Sequence, residues 1–254
     1  MTLRLLMLAA IALLLCAAQP ARPDAATLPA QLEALAGQGN AEALYHLGMI
    51  YHLGLEGVVR DPRRALDYFR RSAEGGDPLG AYKLGCFYAG QGEGVVAEDP
   101  ELALRYKLIA AEAGYDRAQL EVAQIYHGRE DADLAVRWLE AAARQGNGGA
   151  AFGAMAYRSS DGPRPDRARA LLYFELVRRD MAELAAHVGE PSGAEGAAAM
   201  LRPTVEAGVT DADRVRATHL IAEWREERSA VTLKADLGMN AARRLVGLPD
   251  AAPS

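Results

Sequence analysis

Cysteine is close to absent from this 254-residue chain, which has two, Cys16 and Cys86. Cys16 lies in an N-terminal apolar stretch, so once that stretch is removed Cys86 stands alone and no intramolecular disulfide can form. Cys86 itself falls inside an expected helix, where a free cysteine acts as a small hydrophobe. Aromatic side chains are also few, 6% of residues against 50% hydrophobic overall. An alanine-rich apolar fraction suits helices in close contact and not a bulky sheet core. No long basic run occurs, and 28 basic against 34 acidic side chains leave a formal charge of -6, which disfavours a phosphate backbone as partner. Signatures of chemistry are missing too: there is no HExxH, GxSxG, CxxC or phosphate-cradling glycine loop. The five histidines, His46, His52, His127, His187 and His219, form no close pair at ligand spacing. The expectation is no metal, no cofactor and no catalysed reaction.

The N-terminus carries Arg4 and then an uncharged apolar run from Leu5 to Ala18. At about 14 residues this run is shorter than the roughly 20 needed to span a bilayer as a helix. It therefore reads as a secretory signal peptide over residues 1–18, cut after Ala18, with Cys16 and Ala18 as the small residues that signal peptidase reads before the cut. The expected location is periplasmic or secreted, with no membrane span after cleavage. Lipidation of Cys16 is the competing reading, and the bulky Leu15 before it argues against a lipoprotein signal.

Internal repetition organises the rest. Residues 40–76 and 77–114 align throughout: Leu47, Gly48 and Tyr51 match Leu84, Gly85 and Tyr88, and Gly57, Val58 and Val59 match Gly94, Val95 and Val96. Asp61 matches Asp99. Downstream, Ala65, Tyr68, Ala73 and Gly76 recur at the same internal spacing as Ala103, Tyr106, Ala111 and Gly114, and again as Ala135, Trp138, Ala143 and Gly146. A trimmed unit over 115–146 has GRED from Gly128 in place of the Gly-Val loop. A decaying unit over 147–180 retains Gly153, Ala154, Tyr157, Ala170 and Tyr173. Each recurring position has a physical reason. Gly48 and Gly85 fall mid-helix at an intrinsic cost of about 1 kcal/mol relative to alanine, sensible only where another helix crosses closely. Asp61-Pro62, Asp77-Pro78 and Asp99-Pro100 read as capped helix starts, and Gly76, Gly114 and Gly146 as stops.

These units resemble the Sel-1-like repeat family, a relative of the tetratricopeptide repeat, over roughly residues 40–180. The resemblance rests on LGxxY, the Gly-Val loop, and Asp followed by AxxY/W with later Ala and Gly. It implies an all-α, right-handed α-solenoid of antiparallel helix pairs whose first helices line a concave groove for a protein or peptide partner. Carried onto this sequence, the groove positions are Glu42, Tyr45, Met49 and His52, then Tyr82 and Cys86, then Arg117, Gln124 and His127, and last Arg158. A monomer is expected. The alternative that the resemblance implies is cell-wall-ligand binding or a weak β-lactamase-like hydrolase, as in some secreted relatives linked to penicillin binding, but those carry paired cysteines in each repeat, which this chain lacks.

The flanks read as caps. Residues 19–39 contain a linker and a helix with Leu28, Leu32, Leu35 and Ala36. Residues 181–248 form a helical cap: an alanine-rich stretch interrupted by GEPSG, a helix opened by Thr210 or Asp211 that spaces Val215, Leu220 and Trp224, and a last short helix over 231–248. The tail 249–254 is expected to fray.

Overall fold

The computed structural model describes residues 27–188 and 191–251. The apolar N-terminal run, its cleavage point, Cys16, the end of the tail and part of the GEPSG interruption lie outside them. Among the described residues every regular element is a helix.

After a capping helix α1 (Leu28–Gly37), four helix pairs follow: α2 (Ala41–Leu53) with α3 (Pro62–Glu74), α4 (Pro78–Cys86) with α5 (Pro100–Glu112), α6 (Asp116–Gly128) with α7 (Ala132–Arg144), and α8 (Gly148–Arg158) with α9 (Arg167–Val188). Each helix packs on the one before and the one after it in the chain. The core is accordingly a series of apolar clusters strung along the stack.

The starts are chemical. Asp61 accepts from the Arg63 and Arg64 amides, Asp77 from Gly80 at 2.7 Å and Asp99 from Glu101 and Leu102. These bonds satisfy amides that the first helical turn leaves free. Asn40 and Asn147 cap α2 and α8 in the same way, and Asp131 caps α7 without a following proline. Within the first three pairs the chain returns to a fixed point: the Asp61 amide donates to the Tyr51 carbonyl at 2.8 Å, Asp99 to Tyr88 at 2.9 Å and Asp131 to Tyr126 at 2.9 Å, whereas in the fourth Asp166 donates to Arg158 at 2.8 Å. The second unit has one more residue in this loop than the first, taken up as a π-turn over Phe87–Gln91. The GRED loop, despite losing Gly-Val, still turns through a left-handed residue, since Glu56, Glu93 and Glu130 all have positive φ.

Close approach is as the mid-helix glycines require. A Cβ on Gly48 would sit 2.5 Å from the Phe69 ring of α3, and one on Gly85 3.0 Å from the Ala103 carbonyl of α5. Beside these contacts Tyr51 stacks on Tyr68 (5.5 Å between centroids) and Tyr88 on Tyr106 (5.8 Å).

Four features beyond the regular repeats differ from expectation. Met181 stands where the stop glycine would fall, so α9 runs on through Asp180 as one 22-residue helix. It packs against α10 (Pro191–Glu206) and α11 (Asp211–Glu223). Thr210 and Asp213 form a reciprocal capping box at the start of α11. Val215 is exposed, however, and Ala217 makes the buried contact. The last helix is two, α12 (Ala230–Leu237) and α13 (Met239–Leu245), parted at Gly238. Residues 249–251 are tied down: Arg243 Nε donates to the Pro249 carbonyl at 2.6 Å, Arg244 Nε to Asp250 at 2.9 Å, and the Ala251 amide to Asn240 at 2.9 Å.

Gly48→Ala should destabilise the chain by about 1–2 kcal/mol. The helix-propensity gain of about 1 kcal/mol is smaller than the cost of displacing a fully buried Phe69 ring. A thermal melt reads this, and a raised melting temperature would contradict it.

Candidate partner-binding face

Glu42, Tyr45, Met49 and His52 follow one another along the least buried side of α2. Tyr45 is half-buried against His46 and Phe69, and burial pushes its phenol up. His52 lies edge-on to Phe69 and 5.4 Å from Phe87, and its ionisation is pushed down by burial first and then by Lys83 and Arg60. Met49 joins the same aromatic cluster. In the third unit Arg117, Gln124 and His127 are exposed along α6. His127 Nδ1 lies 2.6 Å from the Tyr157 hydroxyl. Arg158, half-buried, donates to Glu140 at 2.8 Å, and Arg169 binds the other oxygen of that carboxylate at 2.8 Å.

Between these two open stretches the face is closed. Tyr82 and Cys86, expected to line it, are 4% and 3% exposed and belong to the core between units. The third unit covers them: Tyr115 packs edge-on to Tyr82 at 4.9 Å, and the Tyr82 hydroxyl donates to Glu121 Oε1 at 2.6 Å. Burial pushes up both the Tyr82 phenol and the Cys86 thiol, which leaves the thiol protonated and unreactive. Glu121 Oε2 is paired in turn with buried Lys107 at 2.9 Å. LGxxY spacing places positions on a helix but says nothing of what the following unit lays over them.

A second feature escaped the sequence reading. After Trp224, whose ring rests edge-on to Tyr173, residues 225–248 turn back along the stack as an arm. Its helix α12 lies against α4, and α13 lies against α1 and α2. Lys234 of the arm binds Glu42 Oε2 at 2.7 Å, so one expected face residue is already occupied. His46 and Lys234 hold the Glu42 carboxyl at about 2, against a burial that alone would raise it. The lysine bond is the tighter contact, His46 Nε2 standing 3.7 Å away.

Among the described residues no three or more His, Cys, Asp or Glu side chains gather as a metal site, and no helix is long and apolar enough to cross a membrane. The arrangement offers surface and no reaction centre: a series of like helices with polar side chains on their open side.

Such a right-handed stack of antiparallel helix pairs is an α-solenoid. The Sel1 repeat matches residues 41–77, 78–115, 116–147 and 152–176, and the chain belongs to the Sel1 repeat family. It is 41% identical over 58 residues to the ERAD-associated E3 ubiquitin-protein ligase component HRD3A of Arabidopsis thaliana, a match spanning 23% of this chain and 9% of HRD3A. Its fold is similar to that of c5321, a protective antigen of uropathogenic Escherichia coli with an SLR fold. There the TM-score is 0.53 and the identity 24%, over 88% of this chain and 52% of the antigen. A Sel1 repeat protein from Oxalobacter formigenes has a TM-score of 0.54 at 21% identity, over 76% of this chain and 77% of that one.

Two predictions come from these contacts. Lys107→Ala removes the buried cation of Glu121 and leaves it only the exposed Arg117 at 3.6 Å, and should cost about 3 kcal/mol, against about 1 kcal/mol for Tyr82→Phe; chemical denaturation separates the two. Glu42 is held well below its ordinary 4.5, so its contribution is complete above pH 4.5 and lost as pH falls towards about 2. The denaturation midpoints of wild type and Glu42→Gln should therefore converge over that window, and a gap that stays constant would show that Glu42 is not the group responsible.

Proposed function

We propose that this protein is a non-catalytic scaffold of the bacterial envelope that holds a protein or extended peptide on the face formed by its first helices. The observation that supports this most directly is the row Arg117, Gln124 and His127 along α6. These are exposed polar side chains set by repeat spacing on one side of a helix whose opposite side, with Ala118, Val122 and Ala123, is fully buried. Arginine is favoured at binding hot spots, and a row of presented side chains is how helix-pair solenoids engage extended ligands. The α2 surface of Tyr45, Met49 and His52, on the far side of the closed second unit, adds an aromatic and thioether patch of the kind interfaces favour. HRD3A is a component of a larger ligase, and membership of an assembly is the general role carried over here, not its particular one.

Export forms part of the proposal. It is supported by Arg4 ahead of the uncharged run Leu5–Ala18, and a mature N-terminus at Gln19 in mass spectrometry is the expected result. A diacylated Cys16 would replace the cleavage reading with an anchored lipoprotein.

Combined Arg117→Ala, Gln124→Ala and His127→Ala should lower crosslinked capture of envelope partners at least tenfold, with the helical circular dichroism unchanged. Undiminished capture by the folded variant would overturn the assignment of the face.

A further inference from the structure

The arm is joined to the solenoid in an unusual way. Residues 225–228 connect it without a helix and are exposed. From there each hydrogen bond to the stack is made to a residue more than 80 positions earlier in the chain. The Glu227 amide donates to the Arg144 carbonyl at 2.8 Å, and the Ser229 amide to Gln145 Oε1 at 2.9 Å. The Ser229 hydroxyl donates to the Gly114 carbonyl at 2.7 Å. Thr232, fully buried, accepts from the Asp116 amide at 3.1 Å, and its proton is within reach of Gln145 Oε1 at 2.9 Å. Lys234 then reaches Glu42, and Ala242 seats fully buried in the apolar cluster of α1 and α2.

The receiving groups have the character of a site. Gly114 and Arg144 offer carbonyls from the ends of second helices, which no helical amide satisfies. Gln145 is held ready by donating to the Gly114 carbonyl at 2.7 Å and to Gln119 Oε1 at 2.9 Å, so that its own oxygen faces the arm. Main-chain hydrogen bonds along a segment, with a small apolar side chain seated at one end, are elements of peptide recognition.

We infer that the turn edge of the solenoid, from Gln145 past Gly114 and Asp116 to Glu42 and the α1–α2 surface, is a peptide-binding site, and that residues 227–248 are its resident ligand in cis. The class of ligand is a segment that begins a short helix with Ser-x-x-Thr, carries a lysine two residues on, and ends in a helix with an alanine pair on its apolar side. A partner offering that chemistry binds by displacing the arm, so the arm sets the threshold for partner binding. The identity of such a partner rests on the scaffold reading above; the site itself does not.

A labelled synthetic peptide of residues 227–251 tests the site directly, titrated by fluorescence anisotropy into the full-length chain. In the full-length Thr232→Arg/Ala242→Arg variant the cis arm is dislodged, and the peptide should bind. In wild type it should bind at least tenfold more weakly, because the tethered arm competes at an effective concentration on the order of millimolar. A Thr232→Ala version of the peptide should lose affinity at least fivefold. A folded double variant that does not bind the peptide, or equal binding by both chains, overturns the inference. If the double variant does not fold, full-length Lys234→Glu replaces it, with tighter peptide binding than wild type expected and unchanged binding overturning the proposal. Peptide binding without envelope capture would defeat only the scaffold reading, whereas capture without peptide binding would defeat only this inference.

Discussion

The separation between paired helices sets the rest of this molecule. Where Gly48 faces the Phe69 ring and Gly85 faces the Ala103 backbone, the two axes come closer than any side chain at the crossing would allow. That approach brings Tyr51 onto Tyr68 and Tyr88 onto Tyr106. It also lets one loop amide after another reach a tyrosine carbonyl. Because those contacts recur, each unit leaves the same surface for the next, and a linear stack with two open ends and one exposed side is the outcome. The ends need covering, and α1 and the α9–α11 group provide it.

Much of this was legible from residue spacing, because the positions concerned are governed by local rules. Asp-Pro at a helix start, glycine at its end and glycine at a crossing are each dictated by backbone chemistry within one unit. Burial across units was less legible. Tyr82 and Cys86 hold the same register as Tyr45 and Met49, yet they are enclosed because Tyr115 and Glu121 arrive over them from the third unit. The run of α9 through Asp180 follows from a missing stop glycine, and so was in the sequence though misread at that point.

Of the arm only its helical character was legible, not where it docks. Its contacts join Ser229 and Thr232 to Gly114, Asp116 and Gln145, and Lys234 to Glu42, across separations for which no periodicity exists. Serine and threonine in a polar stretch carry no mark of a distant partner. Gln145 stands at a turn position that Gly75 and Ala113 occupy in the other regular units, and its type departs from the repeat in the direction the arm requires, as does Asp116 in place of Pro78. The irregular half of the chain thus supplies what the regular half lacks, a segment that reads the turns instead of repeating them.

A rigid stack bearing a removable arm makes a definite statement about local stability. Native-state hydrogen exchange on the full-length chain measures it residue by residue. The amides of α12 and α13 should exchange through an opening of lower free energy than those of α2 to α8, while the repeats remain closed. Exchange of arm and repeats through one common opening would show the arm to be an integral part of the core, and would contradict the account.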